Sequence, residues 1–444
     1  MANQTYQPET LAIHAGERAD PTTGSIVMPI HQTAAYQFAD AEHAEGVFLL
    51  KALKEGEHGN VYSRMSNPTV SQFEARIAAL DGGVGAVAFS SGMAAAAAAV
   101  LNICRCGDNF VASRNLYGGV SNLFQNIFAD YGIECRFVDH DDPENFRQQT
   151  DENTRLYWGE TLPNPRLNVF PIREVADIAE AEGLPLFMDN TCATPALCKP
   201  FEHGAHVAVY SATKYICGHG TTIGGVLVDS GKFDWQKNAA RVPMMNREDP
   251  SMHGVKWAEK FGNMSYLIKL RVTQLRDMGA CLAPMNAFLL SNGLETLHLR
   301  MEKHCQNAEK VAKFLANHPK VANVRYPGLE GGNTQKWADA YMGGKYGGMI
   351  GMDVKGGFKG GQTATENLNL FYHVANIGDV RSMAIHPAST THSQVPADMR
   401  AKAGITDGYV RLCIGTEHAD DLIADLDQAL SKVKAAPVKA EKIA

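Results

Sequence analysis

The chain has 444 residues, of which 45% are hydrophobic and 20% charged, with a formal net charge of −7. That length exceeds one ordinary core and suits two domains plus an arm, and the composition is that of a soluble globular protein. The acidic balance offers no basic surface for nucleic acid, and no apolar run reaches membrane-spanning length, so neither partner is expected.

The opening MANQTYQPET shows no charged-then-apolar leader. Together with nine irregularly spaced cysteines and no disulfide framework, it fits a reducing cytoplasm. Residues 1–75 read as an N-terminal arm, 76–285 as an α/β domain, 286–432 as a smaller C-terminal α/β domain, and 433–444 as a frayed tail of lysine and alanine.

From Arg76 to about Pro284 apolar runs alternate with helical stretches: VGAVAFS, NFVASR, ECRFVD, RLYWGE, PLFMD, HVAVYS and GGVLVD. That alternation predicts a mainly parallel sheet flanked by helices on both faces. In Val84–Val100 the first strand meets a Ser-Ser-Gly turn and then the alanines Ala94 to Ala99, so a helix is expected to start near Met93. The free N–H groups and positive dipole end of such a helix make an anion site from Ser91, Gly92 and Met93 without a basic side chain. An ordinary βα turn would look the same in isolation.

The run LPLFMD ends in Asp189, a carboxylate at the edge of a strand. It could hold a pyridine nitrogen protonated, or be a plain turn residue. Twenty-five residues later stands Lys214, in VAVYSATKYICGHGTTIGGVLVD. Ser211 and Thr213 flank the turn at alternate positions, and Gly218, Gly220, Gly224 and Gly225 let the backbone fold closely around something, with a phosphorylated cofactor the best candidate. Burial lowers the pKa of an amine, and such a lysine forms Schiff bases with carbonyls. A lysine snorkelling at a strand end matches the same short string.

Rival motifs are missing. There is no G-x-x-x-x-G-K-[ST], and Gly218 to Gly224 is spaced one residue too long for the dinucleotide fingerprint. Cys104 with Cys106, and Cys192 with Cys198, suit core packing better than zinc, and His203 with His206 lacks further ligands, so no metal is expected. A helical pattern from about Ala287 through Leu315, interrupted at Gly293, leads into the smaller domain, where Arg411 lies between the apolar Val410 and Leu412 of a strand.

The segments YSRMSNPTV, SSGMAA, NLYGG, ETLPNP, MDNTCATP, SATKYICGHG, IGDVRSMAIHPASTTHS and YVRLCIG occur in one order from Tyr62 to Gly415. In that order they resemble the pyridoxal-phosphate enzymes of cysteine and methionine metabolism, the cystathionine γ-synthase group. The resemblance implies pyridoxal-phosphate fold type I and pyridoxal 5′-phosphate as cofactor, with 76–285 as the cofactor-binding domain. It implies that Lys214 bears the cofactor and works as general base, Asp189 pairs with the ring nitrogen, and Ser91, Gly92, Met93, Ser211 and Thr213 hold phosphate. Tyr117 would stack on the ring and assist proton transfer, and Asn164 would lie near the ring's phenolate oxygen. Tyr62 and Arg64 would reach the phosphate of a neighbouring subunit, which implies at least a dimer and, by resemblance, a tetramer built as a dimer of dimers. Arg411 would clamp the substrate carboxylate with a two-pronged hydrogen bond, with Asn376 nearby.

The continuation GHGTTIGGVLVDSGKFDW and the long segment from Lys237 to Lys260 resemble the members that exchange the acetyl ester of O-acetylhomoserine for sulfide or a thiol, giving homocysteine and acetate. Cystathionine formation, γ-elimination and a non-catalytic carrier of the cofactor are the alternatives. Methionine γ-lyases typically carry cysteine where this chain has Gly119, which weakens the lyase alternative.

Overall fold

The structure, a computed structural model, describes residues 6–49, 58–394, 400 and 404–434. The expected tail lies outside these residues beyond position 434, as do the first five residues of the opening segment. The chain forms two compact units: Met1–Thr161 with Pro171–His298, and Leu162–Phe170 with Leu299–Ala444.

Among its described residues the first unit is built on seven strands: β1 (Gly85–Phe89), β2 (Asn109–Ser113), β3 (Glu134–Val138), β4 (Thr154–Glu160), β5 (Leu186–Asp189), β6 (Val207–Tyr210) and β7 (Gly225–Asp229). They correspond to the seven apolar runs and lie in the order β1-β7-β6-β5-β4-β2-β3. β3, β2, β4, β5 and β6 are parallel, whereas β7 runs antiparallel to both β6 and β1. Helices cover the sheet, which is why β2, β4, β6 and β7 are buried along their whole length and read as continuous apolar runs rather than as alternations.

The alanine helix spans Gly92–Leu101 and packs against β1, β6 and β7. Ala95, Ala96, Ala99 and Val100 are buried in its core face, where small side chains allow close approach to the sheet. The helix Pro68–Asp81 is capped by Asn67, whose side chain takes the Thr69 N–H and donates to the His31 carbonyl, tying the preceding segment to the unit. The long helical pattern is two helices, Pro284–Glu295 and Leu297–Ala316. The break falls at Thr296, not at Gly293. Gly293 serves close approach instead: a Cβ there would lie 2.2 Å from the Ile216 carbonyl oxygen, in the turn that carries Lys214.

Among its described residues the second unit holds five strands, β8 (Val321–Arg325), β9 (Met349–Val354), β10 (Tyr372–His373), β11 (Met383–Ile385) and β12 (Tyr409–Cys413), in the order β10-β11-β12-β9-β8. Its core joins Ala308, Val311 and Leu315 of one helix to Ile350, Met352, Val410 and Leu412 of the sheet and to Leu422, Leu426 and Leu430 of the helix Ala419–Ser431. Residues 162–170 belong with this unit, and the Tyr409 hydroxyl donates to the Pro165 carbonyl at 2.7 Å. No described helix is long and apolar enough to cross a membrane, and no group of three or more His, Cys, Asp or Glu among the described residues is arranged to hold a metal.

Candidate active site

The carboxyl ends of β5 and β6 and the start of the helix Gly92–Leu101 bring one set of expected residues together in the first unit. Asp189 ends β5 and accepts the Thr191 N–H at 2.9 Å, while the Thr191 hydroxyl accepts the Ser211 N–H at 2.8 Å. Thr191 therefore fixes the carboxylate relative to the residue after β6. Burial pushes the Asp189 carboxyl above its ordinary value, against the hydrogen bonds from Thr191, so this group has more to gain than an exposed carboxylate from a cationic partner.

A second layer supports that edge. Asn190 donates to the Cys198 carbonyl at 2.8 Å and to the Tyr210 hydroxyl at 3.0 Å, and that hydroxyl donates to the buried Asp81. Burial raises Asp81 to about 7.

Ser91 caps the alanine helix, its hydroxyl accepting the Ala94 N–H at 3.1 Å. The first N–H groups of the helix, those of Gly92 and Met93, have no acceptor four residues back. Two glycines make the cradle around them. A Cβ on Gly92 would stand 2.6 Å from the Ser211 Cβ, and one on Gly225 would stand 2.1 Å from the Ser91 carbonyl oxygen. Helix start, Ser211 and β7 can meet only because neither position carries a side chain. The Thr213 hydroxyl accepts the Gly224 N–H at 3.1 Å and lies 3.2 Å from the Gly224 carbonyl, so it also braces the turn. Lys214, half-buried, stands four residues past β6 rather than at its tip, in a turn closed by Lys214 N–H to Ser211 at 3.2 Å and Gly218 N–H to Lys214 at 2.8 Å.

This arrangement fits pyridoxal phosphate. A helix N-terminus with two hydroxyls suits a phosphate dianion, the raised Asp189 carboxyl suits a pyridinium, and Lys214 supplies an amine. Tyr117 is half exposed, precedes the short helix Gly118–Asn122, and gives its N–H to Glu160 at 2.5 Å. Tyr62 and Arg64 are both exposed, with the guanidinium 5.5 Å from the ring centroid. No described hydrogen bond joins them to the Lys214 group.

The second unit gathers the others. Arg411, on β12, donates through Nη1 to Asn164 Oδ1 at 3.2 Å and through Nη2 to the Asn376 carbonyl at 2.9 Å. Its Nε is buried with no hydrogen-bond partner among the described residues, a donor that a carboxylate would satisfy. Asn164 is thus bonded to the arginine, and Asn376 serves it through the backbone. His392 lies within the field of this guanidinium, and its pKa is lowered by burial and then by Arg400 and Arg411. Thr191, Asn190, Glu160 and His392 were not singled out from sequence. Glu160 carried the same signal as Asp189, a carboxylate ending an apolar strand.

Comparison with known proteins accords with this geometry. The chain is 44% identical over 439 residues to the O-acetyl-L-homoserine sulfhydrylase of Leptospira meyeri, covering 97% of this chain and 98% of that one. It is 45% identical over 423 residues to the homocysteine synthase of Schizosaccharomyces pombe, covering 95% and 97%. A solved structure of a putative O-acetylhomoserine (thiol)-lyase from Campylobacter jejuni, which carries N′-pyridoxyl-lysine-5′-monophosphate, superposes with a TM-score of 0.91 at 40% identity over 96% of this chain and all of that one. Residues 9–431 match the model for Cys/Met metabolism PLP-dependent enzymes, and the chain belongs to that family.

Proposed function

We propose that the protein catalyses γ-replacement on O-acetyl-L-homoserine, taking hydrosulfide and giving L-homocysteine and acetate. The observation that carries this reading is near full-length similarity to sulfhydrylases of that ester, joined to a lysine, carboxylate and helix N-terminus gathered at one sheet edge. Bound pyridoxal phosphate supplies an electron sink that makes the substrate Cα–H acidic. In this reading it is held by Lys214, by Asp189 at the ring nitrogen, and by Ser91, Gly92, Met93, Ser211 and Thr213 at the phosphate.

The chain's own residues then have distinct tasks. The Lys214 amine takes the Cα proton and relays a Cβ proton. Acetate leaves Cγ with its bonding pair, hydrosulfide bonds to Cγ, and the protons return to Cβ and Cα. Arg411 holds the substrate carboxylate, with its direction set by Asn164 and by the Asn376 carbonyl. Tyr117 covers the ring and serves proton transfer at the leaving group.

The same reading takes 1–75 as an arm with Tyr62 and Arg64 directed to a neighbouring subunit, 76–285 as the cofactor-binding domain and 286–432 as the C-terminal one. It makes the working protein a cytoplasmic homotetramer, a dimer of dimers, without nucleic-acid or membrane partners. The exposure of Tyr62 and Arg64 supports a role outside their own subunit. Steady-state kinetics with O-acetyl- and O-succinylhomoserine, each against sulfide, methanethiol and cysteine, test the assignment. It requires the highest kcat/KM for the acetyl ester with sulfide, and a preference for the succinyl ester with cysteine would replace it by cystathionine formation.

A further inference from the structure

Tyr117 lies against two residues that the proposed reaction leaves unassigned. Its backbone N–H donates to Glu160 Oε1 at 2.5 Å, a short bond to a carboxylate that is only 5% exposed. Glu160 is the last residue of β4 and is paired in register with Asp189, the last residue of β5. The next residue extends the ladder, Thr161 N–H donating to the Asp189 carbonyl at 3.0 Å. One strand end therefore grips the tyrosine by its main chain and is itself bonded to the main chain of the carboxylate assigned to the ring nitrogen. The second residue is Gly119. A Cβ there would lie 2.6 Å from Tyr117 Cε1 and 3.3 Å from Cδ1 and Cζ. The phenol ring lies across the face of residue 119, and a side chain at that position requires the ring to shift from the place it takes here.

We propose that Glu160 and Gly119 are positioning residues that fix the Tyr117 ring relative to Asp189: the carboxylate anchors the tyrosine backbone to the β4–β5 ladder, and the missing side chain gives the ring its resting place. This rests on the reading in which Tyr117 covers the cofactor ring. The grip is specific for an acceptor, so Glu160→Gln keeps an oxygen for the Tyr117 N–H whereas Glu160→Ala does not. Gly119→Ala adds one methyl at a partly exposed helical position, where alanine is the better helix former, so it moves the ring without threatening the fold.

The test reads the visible circular dichroism of the bound cofactor and its dissociation constant in the wild type and in Tyr117→Ala, Glu160→Ala, Glu160→Gln and Gly119→Ala, with thermal melting as the control for folding. Tyr117→Ala defines the signal of a lost ring. Glu160→Ala and Gly119→Ala are expected to move the dichroism in the same direction and to weaken cofactor binding by about tenfold or more, with Glu160→Gln within about threefold of wild type. If Tyr117→Ala changes neither readout, the assignment of Tyr117 to the ring falls, and this inference with it. If Tyr117→Ala changes both while folded Glu160→Ala or Gly119→Ala matches the wild type, the positioning role alone is overturned. Glu160→Gln as damaged as Glu160→Ala would overturn the acceptor role. Should Glu160→Ala not fold, Gly119→Ala decides the matter by the same readouts.

Discussion

Gly92→Ala tests the phosphate cradle where its tolerance is smallest. The added methyl would begin 2.6 Å from the Ser211 Cβ and 2.8 Å from its Cα, against an optimal carbon–carbon contact of about 3.5–4.0 Å. Helix start and Ser211 must therefore separate by about 1 Å, a displacement on the scale that misaligns hydrogen bonds to a bound group. Overpacking of this kind costs about 1–3 kcal/mol, and alanine in place of glycine returns up to about 1 kcal/mol of helix propensity. The net loss of fold stability is thus small, about 0–2 kcal/mol, whereas each about 1.4 kcal/mol lost from the phosphate contacts weakens binding tenfold. Titration of the cofactor-free variant with pyridoxal phosphate, followed by visible absorbance, should give a dissociation constant raised about tenfold or more, with a melting temperature close to wild type. Wild-type affinity within twofold would refute the placement of phosphate at Gly92 and Ser211.

Other consequences are as direct. Lys214→Ala should keep the wild-type melting temperature, lose the visible absorption of the lysine-bound cofactor, and lower turnover by about 10²–10⁴-fold or more; a yellow, active variant would contradict the role of that amine. Arg411→Lys should leave the absorption spectrum unchanged and lower kcat/KM by about ten- to a hundredfold, mainly through KM, since an ammonium cannot make the planar two-pronged bond; an unchanged KM would remove the arginine from the carboxylate. Asp81, raised by burial to about 7, is protonated in the folded chain at pH values where it is ionised in the unfolded one. Its contribution is therefore present below about pH 4 and is lost as pH rises through about 7, a loss on the order of 4 kcal/mol. Urea unfolding at pH 5 and pH 8 should show a smaller drop for Asp81→Asn than for the wild type, and an equal drop would contradict the burial argument.

The first sheet was legible in the sequence because parallel strands covered on both faces are apolar throughout and end in polar residues at their carboxyl edge. The alanine helix was legible for the same reason, since its side chains are too small for anything but close packing, and its start lies one residue before the expected Met93. Gly293 was misleading. A glycine in a helical pattern reads as a break, and here it admits the carbonyl of Ile216, a contact that no periodicity encodes. The antiparallel entry of β7 left no mark, because a buried strand reads alike in either direction.

At the site, residue types and sheet edge predicted Lys214, Asp189, Ser211 and the helix start. Partners set by register and chain crossing were not legible. Glu160 is 43 residues from the Tyr117 N–H it accepts, and Asn164, expected beside the cofactor ring, also accepts a hydrogen bond from an arginine 247 residues away.

The central claim is tested most directly by giving the purified cofactor-loaded protein O-acetyl-L-homoserine, with and without sulfide, and following homocysteine, acetate and 2-oxobutanoate in the same samples. The account predicts homocysteine and acetate in equal amounts only when sulfide is present. Dominant 2-oxobutanoate, or no turnover of the acetyl ester with sulfide, would contradict it.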